Sequence, residues 1–157
     1  MIVTYSLNNS FCKRCGLHAK ILSPCIIGRG NITSKMLVIG ECPGRLEDEQ
    51  HQVFIGSSGQ VLNSVIAQLG IDCFISNAVR CRPVDEKGGN RTPTPKEIEC
   101  CRPFTVDLIL RMKPKVIVTL GAVALSQVTG LNVNMESIRG KVLYHPAVSY
   151  THLTLPT

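Results

Sequence analysis

Five cysteines are the first residues of this chain whose types and spacing could do chemistry. Cys12 and Cys15 form a C-x-x-C pair in "FCKRCGL". The two intervening residues let both sulfurs point the same way, so the pair can chelate one metal. Cys81 in "VRCRPV" and the adjacent Cys100 and Cys101 in "EIECCRPF" lie among Pro and Arg. One pair plus two remote single positions is not the paired C-x-x-C spacing of a zinc ribbon. Four thiolates hold zinc or an iron-sulfur cluster equally well, so spacing does not choose the metal. The isolated Cys25 and Cys73 read as small buried hydrophobes.

A second constellation begins at "MLVIGECPGRLED", Met36 to Asp48, where a strand-like apolar run ends on a carboxylate inside a stiff Gly-Glu-Cys-Pro-Gly turn. Three further runs have the same near-continuous apolar character: 73 to 79, 115 to 121 and 141 to 146. Such runs are what buried parallel strands look like. Between the first two, Val61, Leu62, Val65, Ile66 and Leu69 recur at helical spacing and Gly70 ends the helix. Thr94-Pro95-Lys96-Glu97 reads as a capping box with Pro at the first helical position. Pro103 is expected to kink or restart that helix, and "AVALSQVTG" supplies a shorter third one.

Alternating strands and helices imply an α/β fold with a central four-stranded parallel sheet, right-handed crossovers and helices on both faces. Ligands in such sheets bind beyond the carboxyl ends of the strands. Glu41, Asn77, Gly121 and His145 stand at those ends, so a carboxylate, an amide and an imidazole are expected to converge on one rim. Neither G-x-G-x-x-G nor G-x-x-x-x-G-K-[ST] occurs, which argues against a phosphate-cradling nucleotide enzyme.

The chain has 157 residues, 44% hydrophobic, without Trp and without repeats, which is one domain's length. Its longest apolar stretch, Val116 to Leu125, is too short and interrupted to span a bilayer, so no membrane is expected. The start lacks a basic segment followed by an apolar one, so the expectation is a reducing compartment, the cytoplasm, with thiols rather than disulfides. Lys and Arg outnumber Asp and Glu by 17 to 11, and nine of those bases fall between positions 80 and 115. A polyanionic partner fits that bias, although charge alone describes a solvated basic surface as well.

These residues carry a resemblance. "GECPGRLEDEQHQVFIGSSGQVLN" resembles the signature of the family 4 uracil-DNA glycosylases, GE[A/G]PG then ED then GxPFVGxAGxLL. "SNAVRCRPV...NRTPTPKEIECCRPF" is similar to that family's TNxVKCRPPxNRxPxxxEIxxC segment. "PKVIVTLGAVA" and "YHPA" match its later strand and its HP[A/S] motif. The motifs run in the family's order from Cys12 to Ala147.

The resemblance implies a three-layer α/β/α sandwich that removes uracil from single- or double-stranded DNA, acting as a monomer in a bacterium, archaeon or phage-infected cell. It implies a four-iron four-sulfur (4Fe-4S) cluster on Cys12, Cys15, Cys81 and Cys101, with Cys100 spare and the cluster structural. Asn77 would read the Watson-Crick edge of a flipped uracil, Phe54 would stack on its ring, and Glu47 would line the pocket near C5. Cys42 stands in the same turn, where the family has Ala or Gly. Glu41 would position water and offset positive charge on the sugar, and His145 would stabilise the negative charge on uracil O2.

The chain departs from the pattern in several places. His51 and Val53 replace Gly and Pro, and "VDEKGG" lengthens the loop before Asn90. Only four residues separate Gly140 from His145. The expectation is therefore a glycosylase-like domain over 1–147 and an atypical tail over 148–157, truncated or non-native. Two rivals come from other classes: a non-catalytic iron-sulfur nucleic-acid-binding module of the same superfamily, of the phage-polymerase-associated type, and a zinc-bound structural protein.

Overall fold

The computed structural model describes residues 12–131, 134–145 and 148–155. In chain order the elements are a 3-10 turn Leu17–Lys20, then β1 Arg29–Gly30, β2 Met36–Gly40, α1 Arg45–Gln50, α2 Ser57–Leu69 and β3 Phe74–Asn77. They continue with α3 Pro95–Met112, β4 Val116–Leu120, α4 Ala122–Thr129, α5 Met135–Ile138, β5 Val142–His145 and β6 Val148–Leu155. One six-stranded sheet has the order β1-β3-β2-β4-β6-β5. The pairs β3-β2, β2-β4 and β4-β6 are parallel, while β1 and β5 close the two edges antiparallel.

Alternation along the strands sorts the core. Leu37, Ile39, Phe74 and Ile117 pack with Leu108, Ile109 and Met112 of α3 and Ala124 and Val128 of α4. Val38, Ile75 and Val118 pack instead with Val53 and with Leu62 and Ile66 of α2. The α2 stripe is only half used: Leu62 and Ile66, four residues apart, face the sheet, whereas Val61 is 67% exposed and Val65 and Leu69 are exposed too. A five-residue stripe is wider than the sheet surface this helix covers.

The helix signals are obeyed. Thr94 Oγ1 accepts from the Glu97 N–H at 3.3 Å and Glu97 Oε2 accepts from the Thr94 N–H at 2.8 Å, a reciprocal cap. Gly70 and Gly130 end α2 and α4 in the left-handed conformation. Pro103 does not restart α3, which runs unbroken from Pro95 to Met112. A proline removes a single N–H, here the one that would reach the Glu99 carbonyl, and the buried Cys101, Phe104, Thr105 and Leu108 hold the inner face together.

One expectation about the C-terminal region is overturned. The run 141–146 is not the fourth parallel strand: β5 is an antiparallel edge, because β6 begins two residues after it and parallel strands need a far longer crossover. The fourth parallel strand is β6, with Val118, Thr119 and Leu120 of β4 opposite Leu153, Thr154 and Leu155. Removing residues 148–157 is therefore expected to leave β5 without a partner and β4 paired with β2 alone. Circular dichroism during urea unfolding should lose its cooperative transition, and an unchanged midpoint would show that the sheet closes without β6.

Candidate active site and thiol cluster

Glu41 follows the last residue of β2, and its main chain is locked. The Ala78 N–H donates to the Gly40 carbonyl at 2.8 Å and the Val79 N–H to the Glu41 carbonyl at 2.9 Å, carrying the β2-β3 pairing past the strand ends. Gly40 is required by its surroundings: a Cβ there would overlap the Phe54 ring and stand 2.8 Å from Asn77 Oδ1. The absence of a side chain is what lets a ring, an amide and a carboxylate meet at this rim.

Phe54 sits at φ 55, a left-handed conformation that a bulky residue adopts only when its neighbours over-determine it. They do. Asn63 Nδ2 donates to the Phe54 carbonyl at 3.0 Å, Arg29 bonds both Asn63 and the Val53 carbonyl, and a Cβ on Gly59 would overlap the Phe54 main chain. On the other side Glu47 Oε1 accepts from the Ile55 N–H at 3.0 Å and the Gly56 N–H at 2.8 Å, while Oε2 accepts from the Gly44 N–H at 3.1 Å. Glu47 is 9% exposed. As a loop acid it reads as a solvated charge, yet its carboxylate fastens the turn after Glu41 to the turn that carries Phe54.

Two adjoining cavities share Cys42, Phe54, Ser58 and Asn77 in their walls. One, of about 490 Å³, adds Glu41 and the apolar Val61, Leu62, Val65 and Leu120. The other, of about 400 Å³, adds Glu47, Ser57 and Asn90. Together they form a cleft at the carboxyl ends of the parallel strands, where the topology directs ligands. Asn77 is 3% exposed, and among the described residues its side-chain amide has no hydrogen-bond partner. Burial raises the Glu41 carboxyl above the usual carboxylate range. Burial first, and the Glu41 charge second, push the Cys42 thiol up to about 12, so it is a neutral wall atom at pH 7.

His145 is not part of this rim. It is the last residue of β5 and pairs with Val148, the first residue of β6, whereas the far end of β6 lies beside Leu120. The register puts His145 at the amino end of the parallel strands, on the order of 20 Å along β6 from the cleft end. The apolar run before His-Pro reads as a parallel strand pointing at the rim, and the hairpin pairing reverses it.

The cysteine pattern does converge. Cys81 and Cys101 share a buried cluster with Leu17 and Val79, with Cys15 and Cys42 packed against it. Cys12 is close enough for its charge to act on Cys15 and Cys101. Cys81 Sγ accepts the Cys25 N–H at 3.2 Å, and the main chain of Leu17 and of Arg80 acts on Cys15 and Cys101 in the direction that favours the thiolate. Cys25 is buried, as expected of an isolated cysteine, and its main chain borders the cluster. Cys100 is also close enough for its charge to act on Cys15, and its thiol donates to the Arg14 carbonyl at 3.6 Å. Burial raises Cys15 and lifts Cys81 and Cys101 to about 12. Among the described residues no three His, Cys, Asp or Glu side chains stand where one metal ion could take them all.

The basic segment is less of a surface stripe than its sequence promises. Arg80 is buried, stacks over Phe104 at 5.2 Å and donates to the Phe104 carbonyl at 3.1 Å. Arg82, Arg91, Arg102 and Arg111 pair with Asp48, Glu97, Glu99 and Asp107.

The fold and rim define an α/β protein with a ligand cleft at the carboxyl ends of its parallel strands, beside a cluster of buried thiols. The chain belongs to the uracil DNA glycosylase superfamily, whose family pattern matches residues 27–155. It is 33% identical to the type-4 uracil-DNA glycosylase of Pyrobaculum aerophilum, over 87% of this chain and 78% of that protein. It is 38% identical to the protein of the same name from Thermotoga maritima, over 82% and 67%. A third, from Saccharolobus solfataricus, is 36% identical over 93% of this chain and 69% of its own.

The raised Glu41 pKa has a stability consequence. The folded state holds this proton more tightly than the unfolded chain, so stability falls as pH rises from the unfolded-state pKa toward the folded-state one, and the penalty persists above it. Glu41→Gln is expected to raise the melting temperature at pH 7, with the gain disappearing below about pH 4, where the parent carboxyl is protonated in both states. Equal melting temperatures at both pH values would show that Glu41 is not strained by its burial.

Proposed function

We propose that this chain hydrolyses the N-glycosidic bond of uracil in DNA and leaves an abasic site. The observation that carries the reading is the Asn77 amide, buried, unpartnered among the described residues and open to a cleft that also holds Glu41 and Phe54. An amide can donate to uracil O4 and accept from N3–H. Cytosine presents the reverse pattern, which the amide meets only by turning over. The family membership and the type-4 uracil-DNA glycosylase names of the relatives support the same substrate.

A base reaches such a cleft only by leaving the stack. Phe54, held rigidly at its unusual φ, offers a ring face for the extruded base. Glu41, fixed through its own carbonyl by Val79, positions a water and offsets the positive charge growing on the sugar as the bond breaks. Cys42 and Glu47 form the wall against the base, the thiol neutral and the carboxylate already committed to three N–H groups. No role at uracil O2 is given to His145, whose backbone stands at the other end of the sheet. The substrate is single- or double-stranded DNA, the protein works as a monomer, and the setting is the cytoplasm. Helix α2 on one sheet face, with α3 and α4 on the other, supports a three-layer α/β/α sandwich.

Cys12, Cys15, Cys81 and Cys101 would hold a four-iron four-sulfur cluster, with Cys100 spare. The donor set fits it. Four sulfurs around one zinc at ~2.3 Å would crowd to within about 4 Å of each other, whereas a cubane gives each thiolate its own iron and wants them farther apart. Cys81 Sγ already accepts a backbone N–H, and the main chain near Cys15 and Cys101 also favours the thiolate. Such a cluster supplies an anchor for the N-terminal loop and the segment around Cys81.

Incubation with a labelled uracil-containing oligonucleotide is expected to release free uracil and leave a cytosine control intact. Under single-turnover conditions Glu41→Gln should slow release by about two orders of magnitude, with the half-saturating protein concentration within about threefold of the parent. A mutant as fast as the parent would assign the chemistry to another group. Protein purified without oxygen should contain about four iron atoms per chain. Cys81→Ser or Cys101→Ser should lose them and Cys100→Ser should keep them. Stoichiometric zinc without iron would overturn the cluster.

A further inference from the structure

Helix α1 carries two adjacent acids, Glu47 and Asp48, and both are buried. Glu47 turns toward the cleft and holds the Gly44, Ile55 and Gly56 N–H groups. Asp48 turns toward the thiols: Oδ1 accepts from the Leu22 N–H at 3.0 Å and the Ser23 N–H at 2.7 Å, and Oδ2 lies 3.8 Å from Arg82 Nη1. Leu22 and Ser23 lead into Cys25, whose N–H bonds Cys81 Sγ. Arg82 follows Cys81 directly and also donates Nε to Asn90 Oδ1 at 2.6 Å and Nη2 to the Gly88 carbonyl at 2.9 Å. Asn90 lines the cleft.

We propose that Asp48 is a positioning residue that couples the thiol cluster to the base cleft through helix α1. This rests on the reading of the cleft as a base site and of the thiols as an iron site. A six-residue helix makes too few internal bonds to hold itself in place, so its position is set by what its side chains grip. Loosening the thiol-bearing loop would leave the Asp48 carboxylate buried without its donors, a costly state relieved by moving α1 outward. Glu47 rides on the same turn. The move would free the Ile55 and Gly56 N–H groups and release the φ 55 conformation that holds the Phe54 ring over Gly40.

Amide hydrogen exchange on the whole chain tests this together with excision. In Asp48→Asn, exchange at Leu22 and Ser23 should accelerate directly, and exchange at Ile55 and Gly56 should accelerate with it by about tenfold. Chelating the iron from the parent should produce the same acceleration at Ile55 and Gly56. Iron content in Asp48→Asn should match the parent, with the half-saturating concentration for uracil DNA up about tenfold and the maximal single-turnover rate changed less than about twofold. Glu49→Gln, which touches only the exposed Arg45, should alter none of these. Acceleration confined to Leu22 and Ser23, or an Asp48→Asn defect fully accounted for by lost iron, would overturn the coupling. A parent that carries no iron or releases no uracil would sink the functional reading, while exchange at Ile55 and Gly56 in Asp48→Asn would still decide the coupling. Should Asp48→Asn fail to fold, Arg82→Gln removes the ion pair and the Asn90 and Gly88 bonds and is read by the same exchange.

Discussion

A buried carboxylate must find donors, and in this protein the donors it finds are main-chain N–H groups of distant loops. Glu47 and Asp48 satisfy that constraint from one helix: five backbone N–H groups, three toward the cleft and two toward the thiols, converge on two adjacent side chains. Charge-assisted bonds of this kind are roughly twice as strong as neutral ones. They let irregular segments behave as a rigid wall. The turn after Phe54 and the loop leading to Cys25 are both gripped by this pair of acids.

Glu41 illustrates the opposite treatment of a carboxylate. Its main chain is fixed by the continuation of the β2-β3 ladder, but burial raises its pKa with no compensating bond strong enough to reverse the shift. The sheet thus holds an ill-satisfied acid at the carboxyl end of a strand, next to an amide that also lacks a partner among the described residues. Unmet polar groups in a cleft carry a standing cost to the fold, and a ligand or a developing charge relieves it. The neutral Cys42 thiol between them adds no competing charge.

The thiols follow a similar logic. Burial makes Cys81 and Cys101 reluctant to ionise, while N–H bonds aimed at the sulfurs favour the thiolate. Those two demands meet only when something positively charged takes the protons' place, as a metal centre does. The surrounding arginines are committed elsewhere: Arg80 to Phe104, Arg82 to Asp48 and Asn90, and Arg91 bidentate to Glu97. The basic bias of residues 80 to 115 is therefore largely structural, and the charge it offers a polyanion comes mainly from the lysines.

The sequence by itself determined whatever depends on short-range chemistry. The Thr94-Glu97 cap, the glycine stops of α2 and α4, the buried strands at β2, β3 and β4, and the placing of Glu41 and Asn77 at strand ends all follow from local pattern and from the rule that ligands meet parallel sheets at their carboxyl ends. The ordered motifs carried the cysteine set. Tertiary structure alone decided the rest. Whether the apolar run before His145 pairs parallel or antiparallel depends on which partner edge is free, and β6 occupies the place beside β4 that the run was expected to take. Whether Glu47 is solvated depends on N–H groups eight and nine residues away, and whether Arg80 is surface charge depends on where α3 sets the Phe104 ring. No window of sequence contains those distances, because each is fixed only when the chain closes on itself.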